Sequence, residues 1–231
     1  MKFRVIDFET TGLPSDTRKA ICEAAFCDLD AETDIIADPV STLVDPGHSI
    51  PPETMAVHHI RDQDVAGCPS PTEACRMLMG GMGEEDVFVA HNIEFEKFFF
   101  GGGDHRWICT LKCAVRLWPD APSHKNQVLR YWKGLTDLGD LALPAHRAGP
   151  DTFVTAHLLR LMLDETSVGQ LIEWTGMPLI QTKVNFGKHK HSRWIDLPTD
   201  YIRWIANDAD KLDADTKATA RYWLEQRGGE A

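Results

Sequence analysis

Nowhere in the 231 residues is there an apolar run approaching the ~20 residues that a membrane-spanning helix needs. Met1–Phe8 lacks the basic start, long apolar stretch and small-residue cleavage site of a secretory signal. The expectation is a cytoplasmic protein. Paired CxxC motifs are also missing. The six cysteines (Cys22, Cys27, Cys68, Cys75, Cys109 and Cys113) sit among apolar or small residues, which points to reduced, buried thiols rather than a zinc site. There is no internal repeat and no low-complexity tract, so nothing suggests a solenoid or a disordered tail.

Positive charge is in short supply: 24 Lys and Arg stand against 35 Asp and Glu, for a net charge of −11. Taken as a sum, that disfavours a polyanion as partner, but its distribution matters more. Residues 1–103 carry 7 basic and 19 acidic side chains, whereas residues 104–193 carry 12 and 8. An acidic first third suits a protein that gathers carboxylates around metal ions. The basic stretches Arg106–Lys133 and Lys183–Arg193 are candidates to hold a phosphate backbone, or else are ordinary solvated faces.

The chain is long enough for one sizeable core and a smaller module, with two domains as the upper bound. Strand patterns occupy Phe3–Glu9, Ile21–Leu29 and Ile35–Val44, a three-stranded meander, and Asp86–Ala90 is a short apolar strand. Helical spacing covers Pro69–Met79, Glu94–Phe100 up to the Gly101-Gly102-Gly103 stop, Thr110–Leu117 and the Leu- and Met-rich Thr152–Leu163. Alternating strands and helices predict an α/β domain over 1–166, a connector over 167–182 and a small C-terminal module over 183–231.

Asp7 and Glu9 lie two apart on a strand, so both leave the same face with Cα atoms roughly 6.6 Å apart. That spacing lets them share a hard cation such as Mg²⁺. The bland alternative, a solvated strand end, fits less well with a strand otherwise apolar. Asp151 opens the apolar helix, where the helix dipole favours a carboxylate, and His146 approaches it from the preceding loop. Between these lies Ala90-His91-Asn92-Ile93-Glu94-Phe95-Glu96, polar side chains at a strand-to-helix junction, a usual place for site residues in α/β proteins.

The three segments DFETTGL, AHNxEFE and HRAxxD resemble, in order and spacing, the motifs of the DEDDh superfamily of 3′→5′ exonucleases. Pro52–Ile60, Trp107–Pro119 and the tail segments Asn185–Lys190 and Leu197–Trp204 are similar to the exodeoxyribonuclease X family within it, so the resemblance covers nearly the whole chain. It implies a ribonuclease H-like mixed sheet flanked by helices and hydrolysis of DNA from its 3′ end with release of 5′-nucleoside monophosphates, in keeping with DNA repair. Carried onto this sequence, it gives two Mg²⁺ or Mn²⁺ ions held by Asp7, Glu9, Glu96 and Asp151, with Asp7 bridging and His146 as general base. Thr10, Leu13 and Pro14 would cap the terminal nucleotide, His58 and Asn92 would shape the pocket, and Lys188, Lys190 and Arg193 of the tail would hold DNA. Two positions depart from the pattern: Glu96 stands where the family has Asp, and His191 where relatives usually carry Gly. An RNA-trimming exonuclease and a weakly catalytic DNA-end-binding protein are the alternatives.

Overall fold

In a computed structural model, which describes residues 1–207, 209 and 212–228, the strand expected at 3–9 forms β1 (Lys2–Thr10). It pairs antiparallel with β2 (Ile21–Asp30), and β2 with β3 (Val40–Leu43). On its other side β1 runs parallel to β4 (Val87–Ala90), and β4 parallel to β5 (Arg106–Cys109). The result is one mixed sheet in the order β3-β2-β1-β4-β5, flanked by helices as the resemblance implies.

Period-two alternation along β1 sends its side chains into two layers. Phe3 and Val5 join the larger core, with Val154, Leu158 and Leu159. Ile6 and Phe8 enter the other, with Ala74, Leu78 and Ile93. The larger core is covered by α7 (Ala148–Glu165). Asp7 and Glu9 continue the row of Phe3 and Val5, so the strand carries them to the mouth of the layer that α7 closes.

Before β4 the chain forms α1 (Pro52–His58), α2 (Asp62–Val65) and α3 (Pro71–Met79), the last begun by a reciprocal cap between Ser70 and Glu73. After it come α4 (Ile93–Phe100), α5 (Thr110–Leu117) and α6 (Asn126–Trp132). Two expected boundaries shift. Of the strand expected over 35–44 only 40–43 forms, with Ile36 bridging Leu29 alone, because Pro39 has no N–H for the ladder and restricts Asp38. The helix expected from Thr152 begins four residues earlier, since Pro150 falls among the first residues of the helix, where an N–H would have no partner. Strand β5 and helix α6 are additions. The glycine stop ends α4 with Gly101 at φ 78°, and a Cβ on Gly102 would lie 2.4 Å from the Trp107 ring.

The segment expected as a short helix and connector forms α8 (Val168–Gly176), whose Leu171 is part of the main core and whose Thr175 hydroxyl accepts the Cys109 N–H at 2.8 Å. A separate apolar cluster organises the tail around Trp194, Ile202, Ile205 and Trp223, drawn from α9 (Thr199–Asn207), α10 (Ala214–Gln226) and the turn before them. It also takes in Ile180 and, from α5, Val115. Residues 208, 210, 211 and 229–231 of the expected module lie outside the described residues. No helix among the described residues is long and apolar enough to cross a membrane.

Candidate active site

Carboxylate oxygens of Asp7 and Glu9 on β1 and of Asp151 in the first turn of α7 lie within 4.8 Å of one another. Burial, and then the charges of Glu9, Asp151, Glu96 and Glu23, hold the Asp7 carboxyl well above the usual carboxylate range. Glu9 is pushed up to about 8 by burial, then by Asp151 and Glu23, against an opposing pull from Arg147. Burial also raises Asp151, partly offset by hydrogen bonds from Gln127 and from the backbone of His146. Like charges crowded out of water without counter-ions have this effect.

Glu96 stands outside that group of three, yet its charge is felt at Asp7. It is 3% exposed, Oε2 has no hydrogen-bond partner, and burial pushes its carboxyl up to about 8. Glu94, two residues earlier, is on the outer face of α4, 3.4 Å from Lys112. Asn92 precedes the helix, exposed and at φ 94°.

His146 is exposed and adopts φ 61°, a left-handed conformation that strains a non-glycine residue. Its N–H donates to Asp151 Oδ2 at 2.9 Å, while the Gln127 amide donates to Oδ1 at 2.6 Å. The next residue anchors the loop: Arg147 donates through Nε and Nη2 to the two oxygens of Glu23 at 2.8 and 2.7 Å, and the Ala148 N–H adds a third bond at 3.0 Å. Glu23 is 2% exposed and sits opposite Glu9 in the β1–β2 register. Strain at His146 is thus held on both sides, by Asp151 and by the Glu23 clamp.

Sequence reasoning missed Gln127, Glu23 and Arg147. A charge alone in the apolar strand ICEAAFC was a signal for Glu23. Gln127 had none, because α6 carries no feature that ties it to Asp151.

At the end of β1, Thr10 is buried and donates to the Gly12 carbonyl at 2.9 Å, whereas Leu13 is 61% exposed beside half-buried Pro14. Gly12 is required by space: a Cβ there would lie 2.9 Å from the Arg18 carbonyl oxygen. Lys19 fastens this loop through the carbonyls of Pro14 and Asp16 and lies over the Phe98 ring. His58 is buried, accepts the Ile60 N–H at 3.0 Å and contacts Cys22. It lies behind Thr10, with whose backbone it also interacts.

Four cations of the first basic stretch are already committed within the chain. Arg130 is buried on the carbonyls of Leu135 and Ala142, Lys112 bonds the Thr175 carbonyl, Arg106 pairs with Glu85 and Lys133 with Glu165. In the tail, Arg193 is committed to Asp196 by two bonds at 2.8 and 3.0 Å. Lys188 and Lys190 are exposed, Lys188 over the Tyr201 ring. The tryptophans divide: Trp194 is core, whereas Trp204 is 45% exposed and stacks on Tyr201.

Oxygen donors only, converging and mutually repelling, with a buried orphan oxygen on Glu96, fit hard divalent cations and not a thiolate-loving metal.

Residues 5–159 match the RNase T exonuclease family. The chain is 32% identical over 228 residues to exodeoxyribonuclease 10 of Escherichia coli strain K12, covering 96% of this chain and 98% of that protein. Identity to DNA polymerase III subunit epsilon of Aquifex aeolicus is 27% over 172 residues, 71% of this chain and 81% of that one. Among solved structures, exonuclease X in complex with 5′ overhanging duplex DNA is similar at TM-score 0.65 and 33% identity, over 75% of this chain and 99% of that chain. Matched over most of its length in sequence, and in the fold that brings the three carboxylates together, the chain belongs to the RNase T exonuclease family that includes exodeoxyribonuclease 10.

Proposed function

We propose that this chain is a divalent-metal-dependent 3′→5′ exodeoxyribonuclease that releases 5′-nucleoside monophosphates from DNA ends, in the cytoplasm and in the service of DNA repair. The observation that carries the reading is the meeting of Asp7, Glu9 and Asp151 oxygens within 4.8 Å, with no Lys or Arg paired to any of them among the described residues. Such a cluster is costly unless cations answer it.

Asp7, Glu9 and Asp151 would hold one Mg²⁺ or Mn²⁺, and Asp7 with Glu96 a second. Bound there, the ions supply Lewis acidity to the phosphoryl oxygens and to the leaving 3′ oxygen. His146 accepts the proton of the attacking water on a ring nitrogen. Its imidazole makes no hydrogen bond among the described residues, so the ring is free to do so, while the bond from its N–H to Asp151 and the Arg147–Glu23 clamp fix where the ring starts from. Thr10, Leu13 and Pro14 cap the terminal nucleotide, with exposed Leu13 offering the apolar face; His58 steadies Thr10 from behind, and Asn92 borders the pocket at the head of α4. In the tail, Lys188 and Lys190 contact phosphates, Arg193 does so only by leaving Asp196, and Trp204 stacks a base.

The test is a 5′-labelled DNA oligonucleotide and its RNA counterpart in Mg²⁺, Mn²⁺ or EDTA. DNA should give a descending ladder in either metal and none in EDTA. Immediate release of the label as a mononucleotide, or faster loss of RNA, overturns the reading. His146→Gln should lower kcat by roughly 10²–10⁴-fold and leave metal affinity intact. A near-normal rate removes the histidine from the mechanism.

A further inference from the structure

Where the tail meets the rest of the chain, α5, α8 and α10 enclose a cleft of about 530 Å³, within the range of small-molecule sites, which favour such junctions. Arg116 and Trp174 line it from one side, Arg221 and Tyr222 from the other. None of these residues has a part in the carboxylate site.

Arg116 is half-buried and has no carboxylate against it among the described residues. Its Nη1 donates to the Lys112 carbonyl at 2.8 Å and its Nη2 to the Pro178 carbonyl at 3.0 Å, which leaves most of the five guanidinium N–H groups unanswered among the described residues. The groups that act on it electrostatically are Tyr222, Cys113 and Cys109, and burial pulls its pKa down. Arg221 is exposed on α10 and makes no hydrogen bond or ion pair among the described residues. Glu225 also lines the cleft, exposed, and pairs with neither arginine.

A half-buried guanidinium without a counter-ion is unfavourable, and phosphate, like carboxylate, has oxygens that match its fork. Two aromatic side chains, Trp174 and Tyr222, line the same cleft, and this favours an anion that carries a base; the Arg116 guanidinium lies 6.0 Å from the Tyr222 ring centroid. We propose that this cleft is a second nucleotide site that takes a nucleoside monophosphate, with its phosphate on Arg116 and Arg221 and its base against Trp174 and Tyr222. The ligand is either the free mononucleotide or one unit of a DNA strand. The proposal rests on the exonuclease reading only for the source of that ligand.

Equilibrium dialysis of the full chain in EDTA, with labelled dTMP, inorganic phosphate, thymidine or a thymidine decanucleotide, tests it. Arg221 is the position to change, because it is exposed and holds nothing together. Saturable dTMP binding is expected, with phosphate and thymidine each about tenfold or more weaker, and Arg221→Gln should weaken dTMP by about tenfold. The kcat for DNA hydrolysis in Mg²⁺ should be unchanged. If the same substitution weakens the decanucleotide equally, the ligand is a strand; if the decanucleotide is unaffected, it is the free product. Absence of saturable dTMP binding, phosphate binding as tightly as dTMP, or wild-type dTMP binding by Arg221→Gln each overturns the proposal. Failure of the exonuclease reading would show instead as a missing ladder in the labelled-oligonucleotide assay.

Discussion

At one end of β1, Arg4 is 3% exposed and fully answered: it holds both oxygens of Asp28 at 2.7 Å and donates to the carbonyls of Leu78 and Gly80. Three residues on, Asp7 and Glu9 meet Asp151 and are answered by no cation among the described residues. Both ends bury charge on the same strand, and they resolve it in opposite ways. Where a partner closes the account, as also at Glu23–Arg147, the charge is architecture. Where like charges are pressed together and left, the chain is poised to take something from outside.

The largest effect should separate the two ends. Asp7→Ala should reduce DNA hydrolysis by roughly 10³-fold or more, because it removes the shared ligand, and should leave Tm in EDTA equal or higher, because it removes a repelling charge. Arg4→Ala should do the reverse. It leaves Asp28 with only Lys2, at 3.5 Å, and takes a donor from the Leu78 and Gly80 carbonyls, at a cost of about 2–3 kcal/mol of stability, with kcat per folded molecule near wild type. Kinetics and thermal melts on the two variants check the contrast, and a large stability loss in Asp7→Ala would break it.

Glu96 comes next, as an unanswered charge with an extra methylene relative to the family's Asp. Mg²⁺ demands near-octahedral geometry, and Mn²⁺ is more forgiving of a displaced ligand. Activity should be higher in Mn²⁺, Glu96→Asp should reduce or reverse that preference, and Glu96→Gln should lower activity in both metals by about 10–100-fold. Wild-type rates in Glu96→Gln would return the residue to the architecture.

A smaller effect is pH-dependent stability without metal. Glu9 and Glu96 have ordinary values of 4.5 and folded values of about 8, so folding favours their protonated forms. That contribution is complete below about 4.5 and is lost as pH rises through about 8. Below 6.5 the buried His91, pushed down to about 4, works in the opposite sense, since its contribution is present above 6.5 and lost as pH falls. Tm in EDTA should therefore fall between pH 6.5 and 8, and Mg²⁺ should restore it most at the upper end. A flat profile would mean the carboxylates do not repel as their positions require.

The smallest effect lies in the tail, where Arg193 is answered by Asp196 and the two lysines are not. Replacing Lys188 and Lys190 by Ala should reduce the salt dependence of binding to single-stranded DNA by a slope of about 1.4, roughly 0.7 for each phosphate contact. Arg193→Ala should change it less. An equal change from Arg193 would show that the Asp196 pair opens on binding.

Much of the site was legible because its geometry is local. Alternation alone put Asp7 and Glu9 on one face, and the helical pattern with its first-turn carboxylate gave Asp151. Which cations of Arg106–Lys133 are already committed was not legible, for the converse reason. Net charge on a segment does not reveal that Arg130 turns inward or that Arg106 and Lys133 find carboxylates distant in sequence.

By itself the sequence determined the strand that carries Asp7 and Glu9, the helix that carries Asp151, and the order in which the three motifs arrive, since each depends on neighbours within a few residues. Only the tertiary structure decided that Glu94 pairs with Lys112, that Gln127 reaches Asp151, and that Arg147 crosses 124 positions to Glu23. Those choices depend on how helices pack across the sheet, and which charge finds a partner is settled only when distant segments exclude water together.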